Sequence, residues 1–304
     1  MIKPETPLNN PHQNSTIDEI RGRTKNFSKG FRRFIKGNRL NWIAVTLVSL
    51  VVFLAIVGDL IVPYSPIELN LKIRITPPSS VHLFGTDDFG RDLFSRIIAG
   101  ARISIQIAGM VLILSSTFGT LFGCVAGLLG GWVDEILMRI TDLFLSFPGI
   151  VLAMAITATL GPSLTNTMLA LSIVYWPWYA RLIRGQVLSL REREYILASR
   201  SLGAGTSRLI FSHLLPNVAP YLITQISLDI GYVILSTSSL SFLGLGAQPP
   251  TPEWGAILTG ARNLMREAWW LSAFPGLALT LTVLGFNLLG DGLRDFLDPR
   301  IRKA

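Results

Sequence analysis

An aspartate at position 229 stands within the apolar run QISLDIGYVILS, with Gln225 four residues before it and Tyr232 three after. That spacing puts a carboxylate, an amide and a phenol on one face of a helix. Two kinds of chemistry are open to the carboxylate. It accepts hydrogen bonds from neighbours such as Gln225, or stays protonated, and only fixes packing; or it faces a pathway and briefly holds a cationic group, such as the α-ammonium of a peptide, where low polarity strengthens the attraction. The other charged residues near apolar runs, Asp59, Arg139, Asp142 and Asp291, stand towards their ends, and a single deep acid is too few for the proton relay of a proton-driven carrier. The three histidines, His12, His82 and His213, fall outside the apolar runs, so no Ser–His pair is available for hydrolysis within them. No two deep carboxylates share a face for an aspartyl mechanism. Cys124 is the single cysteine, which excludes disulfides and cysteine-based metal sites. No G-x-x-x-x-G-K-[ST] phosphate loop occurs, so the chain is read as non-catalytic, with no cofactor or metal of its own and no ATP hydrolysis.

A second chemistry is carried by residues 198–217, ASRSLGAGTSRLIFSHLLPN. Its arginines and its irregular backbone at Gly203 and Gly205 would go unsatisfied in hydrocarbon, so this stretch faces water. It reads as a hairpin of two short helices. The first, about Leu188 to Leu202, ends at Gly203, the residue type suited to a left-handed C-terminal turn. The second, about Thr206 to Leu215, places Leu209, His213 and Leu214 near one face with Ser207 and Arg208 turned away; Pro216 stops it, and Asn217 caps the next helix, with Pro220 in its first turn. Such a hairpin is shaped to enter a groove on a partner.

The elements that position these residues follow from composition. Half of the 304 residues are hydrophobic and 15% are charged, which points to a polytopic membrane protein rather than a soluble one. Apolar segments long enough to cross roughly 30 Å of hydrocarbon run at about 42–62, 103–129, 138–160, 167–185, 218–240 and 269–289. The fourth has a short apolar part, and its Arg181 and Arg184 must snorkel to the interface. The fold class expected is therefore all-α, with six transmembrane helices. Trp42, Trp176, Trp178, Trp269 and Trp270 stand near span ends, as in an interfacial aromatic belt. With the N-terminus inside, cytoplasmic segments hold 20 of the Lys and Arg residues and external ones 7. Both termini are thus expected in the cytoplasm. This asymmetry and anionic membrane lipid account for the net charge of +8 without nucleic acid.

The chain divides into a basic cytoplasmic tail (1–40), a first helix with an external segment (41–101), and a five-helix unit (102–304) containing the internal loop 186–217. The first apolar run is too long for a cleavable signal, so it is expected to remain as an anchor. In the tail, Phe31, Phe34 and Ile35 at helical spacing among Lys29, Arg32, Arg33 and Lys36 suit a short helix on the inner membrane surface or a solvated tail. In the external segment, Asp88 and Asp92 with Arg91 and Arg96 are placed to pair around a helix start, which reads as a solvated cap over the bundle. Gly119, Gly123 and Gly127 recur every four residues, a bare face on which another helix can pack closely. Pro148, Pro177 and Pro275 favour kinks in three spans.

The loop resembles the coupling-loop motif of ABC importer permeases, Glu-Ala-Ala-x-x-x-Gly-x(9)-Ile-x-Leu-Pro. Ala198, Gly203, Leu215 and Pro216 match it, while Leu197, Ser199 and His213 stand where the pattern has Glu, Ala and Ile. Three further stretches, GTDDFGRDLFSRIIAGARIS at 85–104, SFLGLGAQPPTPEWG at 241–255 and FNLLGDGLRDFLDPR at 286–300, narrow the resemblance to the C-type permease subunit of dipeptide and oligopeptide importers. The resemblance covers about residue 40 to the end. It implies a type I importer permease core in a bacterial inner membrane, paired with a second homologous permease subunit. It also implies two ATP-binding subunits that carry ATP and magnesium and an extracytoplasmic solute-binding protein. The residues it assigns to docking on the ATPase are Ala198, Ser199, Arg200, Gly203, Ala204, Gly205, Arg208, His213, Leu215 and Pro216. Relatives with these motifs carry dipeptides, oligopeptides, glutathione, nickel chelates or sugars.

Overall fold

The computed structural model describes residues 39–297, so the tail around Phe31, Phe34 and Ile35 lies outside the described residues. Among these the chain is helical, with one isolated bridge between Thr86 and Asp92. Helix α1 (Arg39–Ile61) is followed by a long irregular segment with a 3-10 turn at Leu71–Ile73. Helix α2 (Leu93–Leu129) runs into α3 (Gly131–Leu145), α4 (Gly149–Leu160) and α5 (Leu164–Arg191). The eight-residue α6 (Glu194–Ser201) precedes α7, one helix over Thr206–Phe242. A short α8 (Trp254–Ala261) and α9 (Trp270–Leu297) complete the fold.

Among the described residues four helices, α1, α2, α7 and α9, are long and apolar enough to cross a membrane, and α3 with α4 makes a fifth crossing if the bent pair counts as one. The chain is thus a multi-pass membrane protein. The expected span at 138–160 is broken into α3 and α4, whose axes differ by 85°. Pro148 lies at that break with ψ 120°, outside the helical region, and has no N–H to continue the ladder. The expected span at 167–185 lies within α5. At 28 residues α5 is long enough, but Asn166, Tyr175, Tyr179 and Arg181 dilute its apolar character, so length and composition alone do not make it a crossing. Its Arg181 and Arg184 pair with protein: Nη2 of Arg181 is 2.5 Å from Asp142, and Arg184 makes a two-pronged bond to Asp134 at 2.5 Å. These bonds latch α3 onto α5.

Helix α2 packs along α5 through three glycines. A Cβ at Gly123 would stand 2.5 Å from the Ala180 carbonyl oxygen, one at Gly119 would stand 2.6 Å from Tyr179 Cβ, and one at Gly127 would be 2.8 Å from Val187. Backbones meet here, which gives the dispersion contacts that hold helices together in lipid. Two of the expected belt tryptophans face protein instead. Trp176 is buried against Phe118, Phe122 and Phe144, and Trp270 is buried with its Nε1 donating to the Thr86 carbonyl at 3.4 Å.

Helix α2 begins at Leu93, ten residues before the expected span, because Asp92 caps it by accepting from Ser95 N and Ser95 Oγ at 2.8 Å. Asp92 also bonds His82 Nδ1 at 2.9 Å. The ion pairs around it include the expected Asp88–Arg91 pair but centre on a residue the spacing did not single out. Asp87 is the hub, 2.7 Å from Arg91 Nε and 3.4 Å from Arg96 Nε, while Asp88 stands 3.8 Å from Arg91. Asp87, Arg91, Asp92 and Arg96 are all buried, so this cap is an interior, not a solvated surface. Its second half comes from SFLGLGAQPPTPEWG. The buried Glu253 accepts from Gly255 N, Ala256 N and Ser238 Oγ at 2.9–3.0 Å, and Trp254 Nε1 donates to the Ile97 carbonyl at 2.9 Å.

Candidate functional site

At the opposite end of α2, the water-facing hairpin is built on a small core of its own: Cys124 and Leu128 of α2, Ile183 and Val187 of α5, Ile196 of α6, and Leu209, Ile210, Leu214 and Val218 of α7. Helix α5 ends at Arg191, whose guanidinium donates to the Gly127 carbonyl at 3.1 Å. The chain turns over Glu192 and Arg193, so the first expected helix, 188–202, is two elements rather than one. Helix α6 closes at Leu202. Gly203 has φ +84°, its N–H bonds Arg200 O at 2.9 Å, and Ala204 N–H bonds Ser199 O at 3.1 Å. This pair of bonds is a Schellman turn, and its left-handed residue is the one a side chain would strain.

The second expected helix does not stop at Pro216. Residues Leu209–Leu214 form a π-helical turn and the helix continues as α7. A proline has no N–H for the carbonyl four residues earlier and its ring presses on it; the wider π turn just ahead of Pro216 accommodates both. Asn217 is accordingly no cap, and its Nδ2 donates to the His213 carbonyl at 2.6 Å. Ser199 Oγ and His213 Nε2 lie 3.2 Å apart, tying α6 to the π turn. These are two of the three positions at which the sequence departs from the coupling-loop pattern, so the departures meet in space, a pairing invisible in a one-dimensional comparison.

The hairpin's outer face is open. Ala198, Arg200, Gly203, Gly205, Arg208 and Pro216 are exposed, while Ser199, Ala204, His213 and Leu215 are half-buried. At the tip Leu202 is 89% exposed, with Phe211, Leu197 and Tyr195 also uncovered. A large apolar side chain at a water-facing tip, flanked by Arg200 and Arg208, can enter an apolar pocket with an acidic rim.

The second candidate lies deeper, between α5 and α7. Asp229 Oδ2 accepts from Tyr179 OH at 2.6 Å and Oδ1 from Gln225 Nε2 at 3.0 Å. Tyr175 bonds Ser236 at 2.9 Å, and its ring meets that of Tyr232 edge-on with centroids 5.6 Å apart. Asp229, Gln225 and Tyr232 line a cavity of about 330 Å³. Phe144, Phe147 and Gly149, at the bend between α3 and α4, and Trp178 of α5 complete it. Tyr175 and Tyr179 were missed in the sequence; the signal for them is an i, i+4 pair of phenols on α5 opposite the polar strip of α7.

A profile of the family described as binding-protein-dependent transport system inner membrane component matches residues 119–303. A probable D,D-dipeptide transport system permease protein of Escherichia coli K12 is 47% identical over 266 residues, 88% of this chain and 89% of that protein. A dipeptide transport system permease protein of Alkalihalophilus pseudofirmus is 43% identical over 296 residues, 97% of each chain. A nickel transport system permease protein of E. coli K12 is 41% identical over 259 residues, 85% of this chain and 94% of its own length.

Proposed function

Since the chain belongs to the family of binding-protein-dependent transport system inner membrane components, we propose that it is one of two permease subunits of an ATP-driven importer of di- or oligopeptides. In this reading α5 is a crossing that relies on protein neighbours rather than lipid, giving six spans with both termini in the cytoplasm. The hairpin 192–217 docks in a groove on an ATP-binding subunit, ATP and magnesium stay on that partner, and a solute-binding protein delivers cargo from the other side. The exposed Leu202 on an anchored hairpin is the observation that supports this most directly. Movement of the partner is passed to α2, α5 and α7 because all three contribute to the hairpin's core. A second reading, import of another small solute such as a nickel chelate, is favoured by the nickel permease relative; the names of the two dipeptide relatives favour peptides.

The test is crosslinking in the assembled importer. In a Cys124→Ser background, Leu202→Cys is expected to crosslink to an ATP-binding subunit, whereas Ser79→Cys is not. Labelled dipeptide uptake by the same complex distinguishes the cargo readings. An importer whose Leu202→Cys form never joins the ATPase would overturn the docking role. A membrane-impermeant thiol reagent should reach Ser79→Cys and Ser207→Cys from opposite sides; labelling of both from outside would overturn the topology.

A further inference from the structure

Asp229 has hydrogen-bond donors but no cation. Tyr179 and Gln225 each occupy one lone pair, leaving about two of a carboxylate's four acceptor sites free, and among the described residues no basic side chain forms an ion pair with it. The free sites adjoin a cavity of about 330 Å³ whose wall includes Tyr175, Trp178 and Tyr232. Trp178 and Tyr232 are each more than half exposed, so the cavity has an open side. A carboxylate beside aromatic faces is the combination that holds an organic ammonium ion: the acid takes its N–H groups and the ring faces attract its charge. It does not suit a bare metal ion, which requires several ligands. No group of three or more His, Cys, Asp or Glu that could hold one exists among the described residues.

We infer that the Asp229 cavity is a subsite for a protonated amine on the transported solute, the free N-terminus of a peptide. This rests on the peptide reading above. Tyr179 and Gln225 act as positioning residues: they hold the carboxylate towards the cavity and reduce its hold on the guest, as a site that must release its cargo requires. Tyr232 and Trp178 supply the ring faces. The volume is at the small end of ligand pockets, enough for the amino end of a peptide.

The experiment uses the complete importer with its binding protein in proteoliposomes. Uptake of alanyl-alanine and of N-acetyl-alanyl-alanine is measured for the parent and for Asp229→Asn. The binding protein's own preference is the same in both complexes, so it cancels when the variant's ratio of the two rates is divided by the parent's. The ratio of free-amine to blocked peptide is expected to fall at least about fivefold in Asp229→Asn, and about twofold to fourfold in Tyr232→Leu, which keeps the acid and removes a ring. Asp229→Glu should restore part of the preference. Should Asp229→Asn fail to assemble, the ratio in Tyr232→Leu and Asp229→Glu decides. If the ratio is unchanged while both peptides slow equally, Asp229 only packs helices and the inference is overturned with the peptide reading intact. If the parent moves neither peptide, the peptide reading itself falls and the inference falls with it.

Discussion

The two ends of α2 solve opposite problems. At its N-terminus, Asp87, Arg91, Asp92, Arg96 and Glu253 are buried and bonded to one another or to neighbouring backbone. At its C-terminus, the hairpin buries Ile196, Leu209 and Leu214 in a small core and leaves Leu202 and Phe211 exposed. One end gathers charge into its interior, and the other gathers apolar side chains into a small core beneath an exposed tip. The difference teaches that the first end is held by buried ion pairs and hydrogen bonds and the second by apolar packing, so they should respond to different substitutions.

The comparison breaks most readily at the charged end. Asp87→Asn leaves the guanidiniums of Arg91 and Arg96 short of their carboxylate in a buried site, a change expected to cost about 3–5 kcal/mol. Thermal unfolding of the purified protein in detergent should show a large drop, and an unchanged midpoint would contradict the hub. Next is the seam that joins the ends: Gly123→Leu forces α2 away from the Ala180 and Arg184 backbone, at about 1–3 kcal/mol, read by the same melt. At the hairpin end the stability effect is smaller and the functional effect larger. Gly203→Leu places a Cβ in a left-handed turn with no neighbour within 4 Å, a strain on the order of 1 kcal/mol. The protein should still insert, yet transport should uncouple from ATP hydrolysis because the hairpin is misaimed; full transport with normal stimulation by the binding protein would refute this.

The smallest effect sharpens the contrast between two adjacent acids. Asp88 is pushed above the usual carboxylate range by burial and then by the Asp87 charge beside it. Its charged form therefore burdens the fold. That burden is absent below the ordinary carboxylate pKa and is fully present above the raised one. Asp88→Asn should accordingly melt slightly higher than the parent near neutral pH, within about 0.5 kcal/mol, and the advantage should vanish in acid. A loss at neutral pH as large as that of Asp87→Asn would mean that both acids hold the cap.

How much of this was legible in the sequence depends on whether lipid or protein is the neighbour. Helices α1, α7 and α9 were legible because lipid-facing residues must be apolar along a whole span. The helix start near Asp92 was legible too, but not its continuity with the span that follows or the burial of its charges, since Arg96 looks like a solvated residue until Asp87 is seen beside it. The helix of α5 was legible, but its Arg181 and Arg184 were expected to snorkel, whereas Asp142 and Asp134 of α3 match them and Asp229 of α7 matches Tyr179. Gly203 was legible from its residue type alone. The π turn before Pro216 was not, because the usual inference from an interior proline is a stop. Gln225 was correctly paired with Asp229, whereas Tyr179 stands 50 positions away in the chain, and its phenol pair with Tyr175 gains meaning only once α5 is seen to pack on α7.

The length of α2 has a mechanical consequence. At 37 residues it extends about 55 Å, and no proline interrupts it, whereas α5 contains Pro177, α7 Pro220 and α9 Pro275. Prolines are where helices bend, so those three are the compliant members and α2 is the spindle. A push on Cys124 and Leu128 at the hairpin's floor cannot be absorbed along it by a hinge. It is passed towards Asp92 as displacement of the whole rod, and bending of α5, α7 and α9 at their prolines would take place about that axis.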